Sequence, residues 1–461
     1  MELTAQFQQQ LNALFAANQF YTQPSDCWVY GYDNSRKHAL PNAVVFAHSQ
    51  EDIINIVKLC YEHGVPLTAR GRASGTTGAA IPLKGGVVLS LERMQTILQA
   101  DATNRSMIVE PGVLNATVQA KAKEIGFFWP PDPTSSPYCS IGGNLACNAS
   151  GPRSLKYGST RDNVLGLTAI TGTGEVIECG VHTTKGVVGY DFTRLLIGQE
   201  GTLAIISQAI LKLTPLPEAK RTLRAFYRDN VSAAQAVAQI MSQSITPCGC
   251  EFIDGNAIQM IRKHANADLP ESAGSMLMIE VDGSSGAMAH DVELMKKAAA
   301  HPGLIDLAIA HNNEEAEKLW AIRKSLSQAL RSLSPHKINE DVVVPVSQIP
   351  TLLAYTEELA ATFDITIVNF GHAGNGNLHV NLLVDPHDPV QGPKAKACLN
   401  LLFDKVVALQ GSLSGEHGVG VEKRDYVNKE LSPASIALMK KIKAQFDPKM
   451  ILNPDKLFPL T

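Results

Sequence analysis

The stretch "NAVVFAHSQEDIINIVKLCYEHGVPLTARGRASGTTGAAIP", residues 42–82, constrains the fold most tightly. An apolar run precedes a helix with Ser49 as N-cap, Asp52 in the first turn, Ile53, Ile56, Val57 and Cys60 on one face, and Gly64 and Pro66 past the end. A second apolar run, "VPLTA", follows, so the pattern predicts strand, helix, strand. The next loop spaces its glycines as Gly71, Gly75 and Gly78, neither the G-x-G-x-x-G of a Rossmann fold nor a G-x-x-x-x-G-K-[ST] P-loop, which argues against a Rossmann-type nicotinamide enzyme. Glycine, serine and threonine clustered after a strand can still form a concavity of backbone N–H groups suited to a pyrophosphate. On this stretch alone an ordinary turn competes with such an anion site.

Further apolar or alternating runs at "GVVLSL", "SMIVEPG", "LGLTAITGTGEVIE" and "TLAIISQAILKLTP" predict a sheet-rich first domain, residues 1–217. From residue 218 longer helices, "VSAAQAVAQIMSQ" and "NEEAEKLWAIRKSLSQAL" among them, alternate with strands such as "SMLMIEV" and "ITIVNF". This is read as a second, α+β domain, residues 218–440. In the last segment, residues 441–461, the helix "ASIALMKKIKAQF" stops at Asp447-Pro448 and the prolines of "ILNPDKLFP" predict an extended tail laid along another surface. The first twenty residues lack the basic and continuous apolar parts of a signal peptide; Leu3, Phe7, Leu11, Leu14 and Phe15 fall at helical spacing, and a docking helix is expected.

A net charge of −4 without a Lys/Arg run argues against a nucleic-acid partner, and no apolar run reaches the roughly 18 residues of a membrane span. The eight cysteines (27, 60, 139, 147, 179, 248, 250 and 398) match neither zinc-ribbon nor iron–sulfur spacing, and reduced thiols in a cytoplasmic protein are expected.

A second cluster of glycine and small polar residues, "PPDPTSSPYCSIGGNLACNASGPRSLKYGSTRDNV" (130–164), favours a large dinucleotide, since two such loops share one domain. In the second half, "ITIVNFGHAGNGNLHVNLLVDP" reads as strand, irregular loop, strand, bringing His372 and His379 near each other. Period two puts His379 and Asn381 on one face and Leu378, Val380 and Leu382 on the other. Thirty-five residues past Asn381, "GSLSGEHGVGVEKRDYV" sets Glu416 and His417 between glycines. Each motif alone has an ordinary reading, a half-buried strand histidine or a helix entry. Together, two imidazoles and a carboxylate make a three-ligand site for Zn²⁺ or Mn²⁺ with a position left for substrate. On the helix around Trp320, Arg323 can grip a carboxylate and Ser327 add a donor, although a solvated Arg fits the periodicity as well; Lys337 is open to the same two readings.

The order of the first-half pieces resembles the flavoproteins of the vanillyl-alcohol oxidase / p-cresol methylhydroxylase superfamily: an R-G-x-x-[ST]-G-x-[ST]-G loop at Arg70–Gly78, a P-x-[DP]-x(n)-G-G-N segment at Pro131–Asn144, and "IGQEGTLAIIS" at Ile197–Ser207. "GHAGNGNLHVN" with "SGEHGVG", "WAIRKSL" and "DPKMILNPDKLF" is similar to the FAD-linked D-2-hydroxy acid dehydrogenases: D-lactate dehydrogenase, D-2-hydroxyglutarate dehydrogenase and the flavin subunit of glycolate oxidase. The resemblance implies an α+β protein with a p-cresol methylhydroxylase-type FAD-binding domain, an α+β substrate (cap) domain, and a C-terminal tail returning to the FAD domain.

It further implies FAD contacts from Arg70, Gly71, Arg72, Ala73, Ser74, Gly75, Thr77, Gly78, Pro131, Thr134, Gly142, Gly143, Asn148, Ser150, Gly151, Tyr157, Glu200, Gly201, Ile205 and Asn453. With no histidine in the first loop, the flavin is expected to be non-covalent. Carried over, the metal ligands are His372, His379 and Glu416, the catalytic base is His417, and the substrate contacts are Arg323, Ser327, Lys337 and Asn381. Asn375 stands where the first motif commonly has Asp, and Asp455 where the tail commonly has Gly. The implied reaction is oxidation of a D-2-hydroxy acid, D-lactate first and D-2-hydroxyglutarate or glycolate as alternatives. Its electrons would go to an external electron-transfer protein, quinone or cytochrome, whose site could hold the enzyme peripheral to a membrane. A non-catalytic flavoprotein partner subunit is the reading from another class. Oligomeric state is open, a homodimer included.

Overall fold

Ser49 and Asp52 cap the helix Gln50–His63 reciprocally, each side chain accepting the other's backbone N–H at 3.2 Å, and Gly64 ends it at φ 65°. This computed structural model describes residues 2–264, 269–334 and 336–460, without the side chains of residues 264, 322, 324, 325, 327–329, 331 and 333. The chain divides into two units, one of Met1–Gly151, Gly158–Leu216 and Glu416–Thr461, the other of Pro152–Tyr157 and Pro217–Gly415. The protein is a mixed helix-and-strand chain of α+β class.

In the first unit, Ala43–Phe46 and Leu67–Arg70 each pair parallel with Val87–Ser90, and Phe20–Tyr21 adds antiparallel at the edge. The helix Gln50–His63 buries Ile53, Ile56, Val57 and Cys60 on these strands, and the helix Ala5–Leu14 adds Phe7 and Leu11, with Phe15 beyond its end. Leu14, expected on that stripe, is exposed: the helix meets its neighbours along a narrower band than the apolar positions allow. A five-stranded antiparallel sheet runs in the order Ile97–Asp101, Ser106–Val109, Ala204–Lys212, Val164–Thr171, Val176–Gly180. Its core holds Trp129, Val118, Ile141 and Leu145. The tail returns to this unit, where Leu67 N–H donates to Ile451 and Asn453 N–H donates to Leu67, at 2.7 and 2.8 Å.

The second unit is built on seven strands in the order Leu304–Ile309, Ala219–Tyr227, Ser275–Gly283, Gly249–Ile253, Ile367–Gly371, Asn377–Leu382, Ile338–Val343. One face carries Ile253, Met276, Met278, Val368 and Phe370, covered by Ile258 and Ile261 of the helix Gly255–His264 and by Leu326 and Leu330 of the helix Asn313–Leu333. The polar positions of the same face form the candidate site. All eight cysteines are free thiols. Among the described residues, no helix is long and apolar enough to cross a membrane.

Candidate active site

In the first unit the two glycine-rich loops meet. A Cβ on Gly142 would lie 2.7 Å from Pro111 Cβ, so that position admits only glycine, while one on Gly71 would displace the Ser140 hydroxyl from Gly143 N–H. Ser140 caps the short helix Ile141–Cys147, which ends at Asn148 with φ 49°. Among the described residues, the backbone N–H groups from Gly71 to Gly78 donate to no backbone carbonyl, while Ala73 and Gly78 take φ of 50° and 78°. A turn whose N–H groups meet no backbone carbonyl, bent by positive φ and closed on one side by a glycine contact, fits the pyrophosphate of a dinucleotide.

Other residues of the expected flavin set have identifiable partners. The Arg70 guanidinium lies over the Tyr30 ring and donates to the carbonyls of Tyr32 and Val29 at 2.6 and 3.3 Å, clasping the start of the loop. Arg72 is at the surface, 3.5 Å from Glu92. Ser74 is half-buried, and Gly75 has open space at its Cβ position. The Pro131 carbonyl accepts from Asn115, Thr134 is exposed, and a Cβ on Gly151 would crowd the Asp132 carbonyl at 2.6 Å. Asn148 Oδ1 accepts from Arg161 N–H at 2.9 Å. Gly143 lies in the helix Ile141–Cys147 and Ile205 is buried in the core. Asn453 donates to the carbonyls of Ala79 and Glu200 at 2.8 and 2.6 Å and lies near Gly201. Tyr157 belongs to the second unit, where its hydroxyl donates to Asp282 at 2.9 Å.

The loop of Glu416 and His417 belongs to the first unit and has no regular structure. The Ser150 hydroxyl donates to Glu416 Oε2 at 3.1 Å, and Thr77 Oγ1 lies 3.4 Å from the His417 carbonyl. Glu200 is buried at φ 52° and accepts the N–H groups of Val419 and Gly420 at 2.7 and 2.8 Å. Burial pushes its carboxyl from an ordinary 4.5 up to about 7, against the pull of those N–H groups and of Lys456 and Lys423. Thr77 also accepts Val421 N–H through its carbonyl at 2.8 Å, so the glycine loop and the histidine loop are one hydrogen-bonded piece.

In the second unit, Phe370 pairs with His379 and Val368 with Asn381, so both polar residues face the side covered by the Trp320 helix. Gly376, at φ 77°, turns the chain between the two histidines where a side chain would strike the Val344 carbonyl. The His372 and His379 rings meet edge to face, 5.5 Å between centroids, and both are buried. Glu251 Oε1 lies 2.5 Å from His372 Nδ1, while Glu251 Oε2 accepts Arg323 Nε–H at 2.8 Å. Burial would raise this carboxyl, but the charges of His372 and Arg323 outweigh it and hold it below the usual range. Lys337 Nζ donates to Asn381 Oδ1, and Asn381 Nδ2 donates to the Val368 carbonyl at 3.2 Å. The Ser327 side chain lies outside the described residues. Asn375 joins the turn through its N–H, which donates to the His372 carbonyl at 3.0 Å.

Two buried neighbours were missed in the sequence. Glu251 joins Arg323 to His372, and its only sequence signal is a lone acid in the apolar run "CGCEFI". Asp341, opposite His379 in register, accepts from Asn377 Nδ2 at 2.7 Å and from Gly415 N–H at 2.9 Å; Glu416 is the next residue in the chain. Imidazoles side by side, one with Nδ1 on a carboxylate, are a donor set that suits zinc or manganese.

Residues 41–180 match an FAD binding domain, and residues 216–457 match the C-terminal domain of FAD linked oxidases. The chain is 37% identical over 457 residues to the glycolate oxidase subunit GlcD of Bacillus subtilis, covering 99% of this chain and 97% of that protein. It is 34% identical over 427 residues to the D-lactate dehydrogenase of Anaerostipes hadrus, covering 91% and 90%. Among solved structures, p-cresol methylhydroxylase with substrate bound superposes with a TM-score of 0.78 at 18% identity over 97% of this chain and 95% of that one, a likeness of fold. The fold and the matched domains define an FAD-linked oxidoreductase of p-cresol methylhydroxylase-type architecture. The chain belongs to the FAD-linked oxidase family, in the group of D-2-hydroxy acid dehydrogenases that holds D-lactate and D-2-hydroxyglutarate dehydrogenases and glycolate oxidase subunits.

Proposed function

We propose that the protein oxidises a D-2-hydroxy acid to the 2-oxo acid, with D-lactate to pyruvate as the first assignment. The observation that carries this reading is the polar patch on one face of the second unit's sheet, where His372 and His379 sit side by side and Arg323 and Lys337 supply two cations. When bound, FAD supplies a hydride acceptor for the substrate Cα–H, and a divalent ion, zinc or manganese, supplies a Lewis acid for its hydroxyl. His372 and His379 are assigned as two ligands of that ion and Glu416 as the third, an assignment supported by the paired H-x(6)-H and G-E-H-G motifs.

His417 is assigned the proton of the C2 hydroxyl. Arg323 and Lys337 are assigned the C1 carboxylate, with Ser327 and Asn381 orienting it. The flavin is assigned to the loops of Gly71–Gly78 and Pro131–Gly151, with Glu200, Gly201, Ile205, Tyr157 and Asn453 around them, without a covalent bond. The electrons pass to an external protein, quinone or cytochrome. A cytoplasmic enzyme, docked at most peripherally on a membrane, completes the proposal, with its oligomeric state open.

A second reading has one observation in its favour. Lys337 on Asn381 adds a cation to Arg323 and suits a second carboxylate, as in D-2-hydroxyglutarate. Dye-linked turnover on D- and L-lactate, D-2-hydroxyglutarate and glycolate tests both. D-lactate should give the highest kcat/KM; turnover of the L-acid alone would refute the assignment.

A further inference from the structure

We propose that Glu251 is a positioning residue that sets the metal-binding tautomer of His372 and the direction of Arg323 at once. This rests on reading His372 as a metal ligand and Arg323 as a substrate contact. Glu251 lies on the strand Gly249–Ile253, beside the strand that leads into His372, and its side chain is 1% exposed. An isolated carboxylate at such depth is costly, so its two oxygens need two donors. The structure provides them from separate elements: His372 Nδ1 at 2.5 Å on Oε1 and Arg323 Nε at 2.8 Å on Oε2.

The consequence for His372 is chemical. An acceptor on Nδ1 keeps the proton there, which makes Nε2 the ring's ligand atom and raises its basicity. The consequence for Arg323 is geometric. Its Nε is tied to Glu251 and its guanidinium carbon lies 4.7 Å from the Phe370 ring centroid, so the fork is aimed before any substrate arrives. One carboxylate therefore couples retention of the ion to grip on the substrate carboxylate. Glutamine in its place can accept from only one of the two donors, so one partner is released.

The test uses the full-length, FAD-loaded protein, stripped with a chelator and titrated with Zn²⁺ and Mn²⁺ separately against a competing indicator. Glu251→Gln should lose about 10- to 100-fold in metal affinity, the usual effect of removing a ligand's hydrogen-bonding partner. Its KM for D-lactate should also rise. Asp254→Asn is the comparator: this buried acid bonds Asn369 N–H at 2.5 Å, on the far side of the same sheet, and its loss should lower stability while leaving metal affinity in place. Should Glu251→Gln not fold, Glu251→Asp, which keeps the charge but withdraws it by one methylene, is read the same way. A folded variant with wild-type metal affinity overturns the proposal. If the wild type takes up neither ion, or His372→Ala binds as the wild type does, the metal-ligand reading of His372 fails instead.

Discussion

Gly71 lies directly against Ser140: a Cβ at residue 71 would overlap the serine hydroxyl and approach Gly143 N to 3.7 Å. The contact locks the first glycine-rich loop onto the second. Gly71→Ala should turn the Ser140 hydroxyl off Gly143 N–H, losing a helix cap worth about 0.5–2 kcal/mol, and loosen the hold on flavin. Gly75→Ala, where a Cβ meets nothing within 4 Å, should retain its flavin. Flavin-to-protein absorbance ratios after dialysis check both, and equal retention would show that the loop contact does not shape the flavin site.

Glu200 should make stability pH-dependent. Its folded carboxyl is raised to about 7 from an ordinary 4.5, so the stability it contributes is full below 4.5 and is lost as pH rises through about 7. Glu200→Gln removes that dependence but can accept only one of the two N–H groups of Val419 and Gly420. The variant should therefore be less stable than wild type at pH 5. The gap should shrink by about 2–3 kcal/mol between pH 5 and 8, at roughly 1.4 kcal/mol per unit. Denaturant melts across that range check it, and a gap independent of pH would contradict it.

Much of the local structure was legible because its chemistry is local. Ser49, Asp52 and Gly64 bound their helix by capping alone, and the alternation of His379 and Asn381 with Leu378, Val380 and Leu382 gave the two faces of their strand. The histidine pair could be read because its residues are seven apart across one turn. Glu251 could not, because its partners lie 72 and 121 residues away and a lone acid in an apolar strand names neither. The same holds for Glu200, whose carboxylate serves residues 219 and 220 positions on. Resemblance supplied its place near the flavin, while the hold on the His417 loop is tertiary.

Arg323→Leu should act on stability and on substrate. It leaves buried Glu251 with His372 alone, a loss of about 3 kcal/mol by comparison with other broken buried pairs. KM for the hydroxy acid should rise more than kcat falls. Thermal melts and steady-state kinetics separate the two effects; a destabilised variant with unchanged KM would reduce Arg323 to a structural residue.

His417→Ala should lower turnover by about 10²- to 10⁴-fold, the usual cost of a missing general base, with flavin still bound. Dialysis against a chelator should abolish turnover and leave the flavin spectrum unaltered, with Zn²⁺ or Mn²⁺ restoring activity. Full activity after chelation would return His372 and His379 to a hydrogen-bonding role.

The most direct measurement is the flavin spectrum of the FAD-loaded protein on anaerobic mixing with D-lactate, set beside L-lactate, glycolate and D-2-hydroxyglutarate. Bleaching of the oxidised flavin band by D-lactate, with one pyruvate formed per flavin and no change with L-lactate, is the expected result. A fully loaded flavin that stays oxidised with every D-2-hydroxy acid would contradict the assignment.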